Sequence, residues 1–591
     1  MRARLILSCG VASAMALAAA FEGCGSDDQS TPADGGSSLA DTTTSTGDAA
    51  SSDDGGTTGV GQDGANPSSG SSSGSSSSGD SSTSGPDGAL ASDGGILTAD
   101  AATVAYDPSV YQHHKNGTRD GVYIDLAFSK TAAATTHVLT SFMGTVSSSV
   151  YAQPLYVQKG PGGKEAFIVA TETNHVTAYD ATTGATLWDK GPAVYGTEAI
   201  KDADSGPPCS PLNPLGITGT PFIDYSSGQG VIYFDAMVTP DGNRTFKHLV
   251  YAVKVEDGTV LPNWPVDVSA KVPGFNAPYQ NQRGALQFLK GVLYVPYGGQ
   301  DGDCGSYFGW VIGFPVANPQ SPTGWHTSGS KGGIWGPGAL PTDGTSVFPV
   351  TGNTAVPGTA WGGGEAVLRL GPGPTFSGKT ADYYAPTNWK YLDDHDQDLG
   401  GASEVLFDMP GAFKPHLVAA GGKDRNLYLL DRDNLGGIGD AGAGTELLMQ
   451  AVGTSEVKGA PAVYTTSQGT YVAFHIEGGT GVGCPGNPTP NGNLVAVKIT
   501  SGAKGFTAKV AWCSGESGLA SPMVTTTDGK SNALVWAASN RLYAYDGDTG
   551  AKIVDGTKTA MSSSVQGWNT PIDAKGRIVV GVNGQLYVFT P

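Results

Sequence analysis

The 591-residue sequence is poor in charge, with Asp, Glu, Lys and Arg making up only 15% of it. Long amphipathic helical patterns are hard to find, which speaks against a helical architecture. No Cys-x-x-Cys or Cys-x-x-Cys-His spacing occurs, so neither a zinc site nor covalent c-type haem is supported. A phosphate-binding loop is absent, as is a Gly-x-Ser-x-Gly nucleophile motif with triad partners. Basic surface is lacking too: the net charge of −20 argues against nucleic acid or an anionic membrane surface as partner. The one long apolar run, residues 5–21, is too short for a stable membrane-spanning helix. What the chain does have is glycine, 89 residues of it, as a turn-rich all-β protein needs at backbone positions with positive φ.

The N-terminus reads as leader and tether. Arg2 and Arg4 precede the apolar run, the layout of a secretory signal over residues 1–23. The run ends Phe21-Glu22-Gly23-Cys24, which resembles a bacterial lipoprotein cleavage box, with Phe21 and Glu22 departing from the usual residues. That resemblance implies lipidation at Cys24 and a cell-envelope location, at the outer membrane or cell surface. Residues 24–98 are Ser, Gly, Asp, Thr and Ala with almost no large apolar side chain, too little to offset chain entropy, and are expected to be a flexible tether. Their Asp residues leave the remaining chain with a net charge of about −10. Residues 99–136 form an irregular segment of no evident placement. Cys209, Cys304, Cys484 and Cys513 are an even set for an oxidising compartment, which points to two disulfides. The expected pairs are 209–304 and 484–513, with the other connectivities open.

From about residue 145 an apolar strand followed by a turn recurs eight times, clearest at 176–188, 249–258, 426–437, 494–502 and 541–554. Each copy pairs with an earlier strand, and several of these open on a small or polar residue and proline, as in Gln153-Pro154, Thr220-Pro221 and Ser521-Pro522. Such a period indicates four-stranded blades in a radial array. The last copy leaves room for only three strands before Pro591. Residues 137–145 are the candidate fourth strand, because closing the ring removes an exposed edge. The expected fold is therefore an eight-bladed β-propeller over 137–591.

The run Ala178-Tyr179-Asp180-Ala181-Thr182-Thr183-Gly184 through Trp188 resembles the tryptophan-docking repeat of pyrroloquinoline quinone (PQQ) propellers. The likeness to PQQ-dependent alcohol dehydrogenases extends to a candidate site. Trp335 in GGIW stands eighteen residues before Asn353 in TGN, as the family's quinone-stacking Trp stands before its calcium-binding Asn. Asp398 in HDQDLGG resembles the catalytic base, and Lys423 in GKDRNLYLLDR the cation that contacts the quinone. The resemblance thus implies PQQ on Trp335 and Lys423, calcium on Asn353 and Asp398, and oxidation of a small-molecule alcohol or sugar. The sequence lacks the adjacent cysteines that many relatives place over the quinone, and no Glu matches the family's further calcium ligand. The residues also read without a cofactor: Trp335 as an interblade packing residue, Asn353 as a turn residue, 393–398 as a solvated acidic loop. In that case the chain is a non-catalytic propeller that binds envelope protein partners. His113-His114 in the irregular segment is expected at the surface.

Overall fold

The computed structural model describes residues 107–591 except 197, 203–206, 301–302, 357, 441–443, 486–491, 516–517 and 519. The expected signal, the expected lipidation at Cys24 and the expected tether fall outside the described residues. Eight sheets of four or five strands, with one additional two-stranded sheet, form an all-β, eight-bladed propeller. In blade 1 the order is Leu155–Val157, Ala166–Ala170, Val176–Asp180 and Thr186–Lys190, from the first strand outward. Blade 4 departs from this plan. Its edge strand Gly437–Ile438 arrives from beyond the third strand of blade 5 and pairs parallel with Tyr383–Ala385.

The docking repeat works locally, as its residues suggest. Asp180 Oδ1 accepts the N–H groups of Thr182 and Thr183, which sets the turn. On the outer strand, Trp188 donates Nε1–H to Val255 O of the next blade at 2.9 Å and packs on Gly258. Blades 6 and 7 repeat the device with Trp512, whose Nε1–H reaches Gly547 O at 2.8 Å while its ring lies on Gly550. Gly258 and Gly550 have φ near +70°, and a Cβ at either would strike the indole, so glycine is required twice over.

Closure follows the expected route. His137–Val138 and Gly144–Thr145 pair antiparallel with the last strand, Gln585–Thr590, in the registers His137 to Thr590 and Gly144 to Leu586. Together with Ile572–Asp573 and Ile578–Val582 they complete blade 8. Cys209 pairs with Cys304 and Cys484 with Cys513.

Residues 107–125 fill the central channel. The first strand of each blade presents an unpaired edge to the ring axis, and this segment supplies partners to all of them. Val110 bridges Tyr156 of blade 1, and Tyr111 O accepts Ile223 N–H of blade 2. The Arg119 guanidinium donates to Leu286 O of blade 3. Gly117, Thr118 and Asp120 carbonyls accept Thr342, Leu406 and Val463 N–H in blades 4, 5 and 6. Val122–Ile124 runs parallel to the first strand of blade 7, and His113 Nε2 lies 3.3 Å from Thr570 Oγ1 of blade 8. The segment is therefore a hairpin-like plug, entering beside the C-terminal end of the blade 1 strand and leaving beside that of blade 7. The expectation of a surface His pair is overturned: His113 and His114 are both 0% exposed, held in the plug tip against the inner strands.

Burial lowers the His114 pKa to about 4, and the Arg119 charge adds to this against the hydrogen bond that the imidazole donates to Arg119 O. Below pH 6.5 the unfolded chain takes up a proton that the folded chain refuses until about pH 4. His114 is thus expected to cost the fold about 3 kcal/mol across that window as pH falls. Urea unfolding at pH 7 and pH 4.5 checks this: His114→Asn should lose less stability on acidification than the wild type, and equal losses would contradict it.

Candidate functional site

First strands run away from one face of the ring and second strands return to it, so the loops between second and third strands share that face with the loops linking blades. Trp335 lies in the link from blade 3 to blade 4, and Asp398 in the link from blade 4 to blade 5. Val350–Thr351 stands second in blade 4, because the chain just before it bridges an inner segment through Val347 and Thr342, and Asn353 follows it; Lys423 follows the second strand of blade 5 (His416–Gly421). All four therefore belong to the face opposite the two ends of the plug.

The structure brings them together. Asp398, 2% exposed, accepts Asn353 N–H on Oδ1 at 2.7 Å and the Lys423 ammonium on Oδ2 at 2.6 Å. Gly352 separates Trp335 from this cluster, and a Cβ there would collide with both Trp335 Cζ3 and Asp398 Oδ1. The indole N–H is anchored to Gly299 O at 3.0 Å, and Gly298 and Gly333 lie against the ring. Trp335 keeps 9% exposure, with Tyr307 edge-on at 6.2 Å between centroids. It is thus not placed like Trp188, on an outer strand between two blades.

Lys423 also contacts Asp396 at 3.0 Å. Burial alone would lower its pKa, but the attraction of Asp398 and Asp396 outweighs this and raises it above the ordinary lysine value. The ammonium is a fixed positive charge beside Asp398 at any working pH. His395 turns away, with Nδ1 2.8 Å from Tyr391 O and its ring stacked on that tyrosine.

One participant was not expected from sequence. Glu365, 0% exposed, accepts Leu399 N–H on Oε2 at 2.6 Å, next in the chain to Asp398. Burial first, and then the Asp398 charge, push its pKa well above the usual carboxylate range. Its Oε1 and the Asn353 Oδ1 are buried without a hydrogen-bond partner among the described residues. The only signal in the sequence is GGGE (362–365), where a non-glycine residue takes a left-handed backbone with φ 50°. Two carboxyl groups and a side-chain amide suit a hard cation in donor type, although no cluster of three or more His, Cys, Asp or Glu able to hold a metal occurs among the described residues. Beside Asn353 an open cleft of ≈ 540 Å³ runs between the two-stranded sheet of Ser330–Lys331 with Thr354–Ala355 and the helix Trp389–Asp394.

No protein-family model matches the chain, and no curated protein matches it by sequence. Solved structures do. The quinohemoprotein alcohol dehydrogenase ADHIIG from Pseudomonas putida HK5 superposes with a TM-score of 0.57 at 12% identity, over 82% of this chain and 80% of that one. A quinohemoprotein alcohol dehydrogenase from Comamonas testosteroni gives 0.52 at 14% identity, with coverage of 82% and 80%. A europium-containing methanol dehydrogenase gives 0.54 at 14% identity, over 82% of this chain and 98% of that one. At such identities the likeness is one of fold: this chain has the eight-bladed propeller fold of the quinoprotein alcohol dehydrogenases.

Proposed function

We propose that the protein is an exported, lipid-anchored dehydrogenase of the cell envelope that uses PQQ and calcium to oxidise an alcohol or sugar. The observation that supports this is the convergence of Trp335, Asn353, Asp398 and Lys423 from four successive loops onto one face of the ring. Trp335 would give the quinone an apolar plane, and Lys423 a cation. Asn353 Oδ1, Asp398 and Glu365 Oε1 would hold the calcium ion. When bound, PQQ with its metal supplies an electrophilic carbonyl that accepts hydride.

The chain's own groups divide the remaining work. Asp398 is the base that takes the alcohol proton. Lys423 stabilises that carboxylate while it is ionised and holds it in place through Oδ2. In the absence of a cation Glu365 is favoured in its protonated form, and calcium binding beside Asp398 would release that proton.

A second reading, a non-catalytic propeller that binds envelope proteins, is favoured by one observation: both Asp398 oxygens already have partners within the protein. Dye-linked turnover separates the two. Purified protein supplied with PQQ and calcium should reduce an artificial acceptor when given primary alcohols or sugars, and PQQ-loaded protein that never does so leaves the binding reading in place.

A further inference from the structure

The cleft beside Asn353 has walls in which polar surface outweighs apolar. Lys331 and Thr354 on the sheet side face Lys390, Asp393 and Asp394 on the helix side, with Asn353 also lining the cleft and Ala355 and Val356 as apolar residues. Its volume of ≈ 540 Å³ lies in the range of small-molecule sites, about 300–1,000 Å³. Two lysines and two aspartates cancel in formal charge, which disfavours an anion or a cation as occupant and leaves alternating donors and acceptors.

The groups are held in place. Asp393 accepts Thr354 N–H at 2.8 Å and the Thr354 hydroxyl at 3.1 Å, which fixes its carboxylate against the floor. Lys331 is steadied by Asp303 at 3.0 Å and Lys390 by Asp394. The second observation is Asn353: only 7% exposed, it lines the cleft with an unpartnered side-chain oxygen, while its backbone N–H is bonded to Asp398. The cleft is therefore continuous with the Asp398 cluster through a single residue.

We propose that this cleft binds a neutral polyhydroxylated compound, a mono- or disaccharide, through Asp393, Thr354, Lys331 and Lys390. As a statement about substrate this rests on the dehydrogenase reading, whereas the binding itself does not. A short alkyl alcohol offers one hydroxyl and engages only one of the four polar groups at a time. A sugar matches them with adjacent hydroxyls that both donate and accept. Burial raises Asp393 to about 6, against the hydrogen bonds from Thr354, so the carboxylate is mainly ionised at pH 7.5 and available as an acceptor.

Calorimetric titration of the full chain, without PQQ, with D-glucose, maltose and 1-butanol tests this. Saturable binding of at least one sugar is expected, about tenfold weaker in Lys390→Met and in Asp393→Asn. The lysine variant alters an exposed helix side chain, so it reads binding without a folding defect. No saturable sugar binding, binding of 1-butanol as tight as that of the sugars, or affinities unchanged in both variants would overturn the proposal. Failure of PQQ to bind would leave this titration unaffected.

Discussion

Arg119→Ala is expected to destabilise the propeller by about 3–5 kcal/mol, among the largest effects of any single substitution outside the candidate site. Arg119 is fully buried at the plug tip and donates to Gln112 Oε1, His113 O and Leu286 O at 2.9 Å each, with Ala339 O at 3.5 Å. Alanine would strand carbonyls from the plug and from blades 3 and 4 where water does not reach. It would also open a void on the axis, where the plug joins all eight first strands. Glu404 provides the control. Burial raises its pKa to about 8 even with Arg119 nearby, so at pH 7 it holds a proton and Glu404→Gln should cost less than about 1 kcal/mol. Urea midpoints of the two variants decide the matter, and an Arg119→Ala loss below that of Glu404→Gln would show that the plug does not carry the ring.

Asp398→Asn should lower dye-linked turnover by about 10²–10⁴-fold, the range over which a positioned base contributes. The amide keeps an oxygen to accept Asn353 N–H, while its NH2 can no longer accept from Lys423, whose ammonium keeps Asp396 as partner. The amide cannot take a proton from an alcohol, and it removes one of the two charges that hold Lys423 above its usual pKa. The near-ultraviolet circular dichroism that reports tertiary packing should therefore stay constant while turnover falls. Turnover within about threefold of the wild type would show that another group takes the proton.

The parts of the fold legible in the sequence are those fixed by neighbours along the chain. Asp180, Gly184 and Trp188 announce a blade because turn and docking are set within nine residues. Ring closure by 137–145 followed from a missing strand, a question of pairing that the length after residue 570 already poses. The plug could not be read this way. Its hydrogen bonds go one at a time to blades spread over four hundred residues, so it has no period of its own, and His113-His114 looks like any polar pair until the channel is built around it. Within the candidate site, Trp335, Asn353, Asp398 and Lys423 were visible through the resemblance to the PQQ-dependent alcohol dehydrogenases. Glu365 was not, because it reaches the Asp398 loop only through the tertiary contact with Leu399 N–H.

On the proposed reading this face of the ring holds a quinone, and equilibrium binding of PQQ to the full chain tests that reading. With calcium present, PQQ should quench tryptophan fluorescence saturably at one equivalent per chain, and calcium removal or Asn353→Ala should weaken binding by at least about tenfold. Trp335→Ala should abolish the part of the quenching that arises from stacking. Absence of saturable binding in the presence of calcium, or binding indifferent to Trp335, Asn353 and calcium alike, would contradict the account.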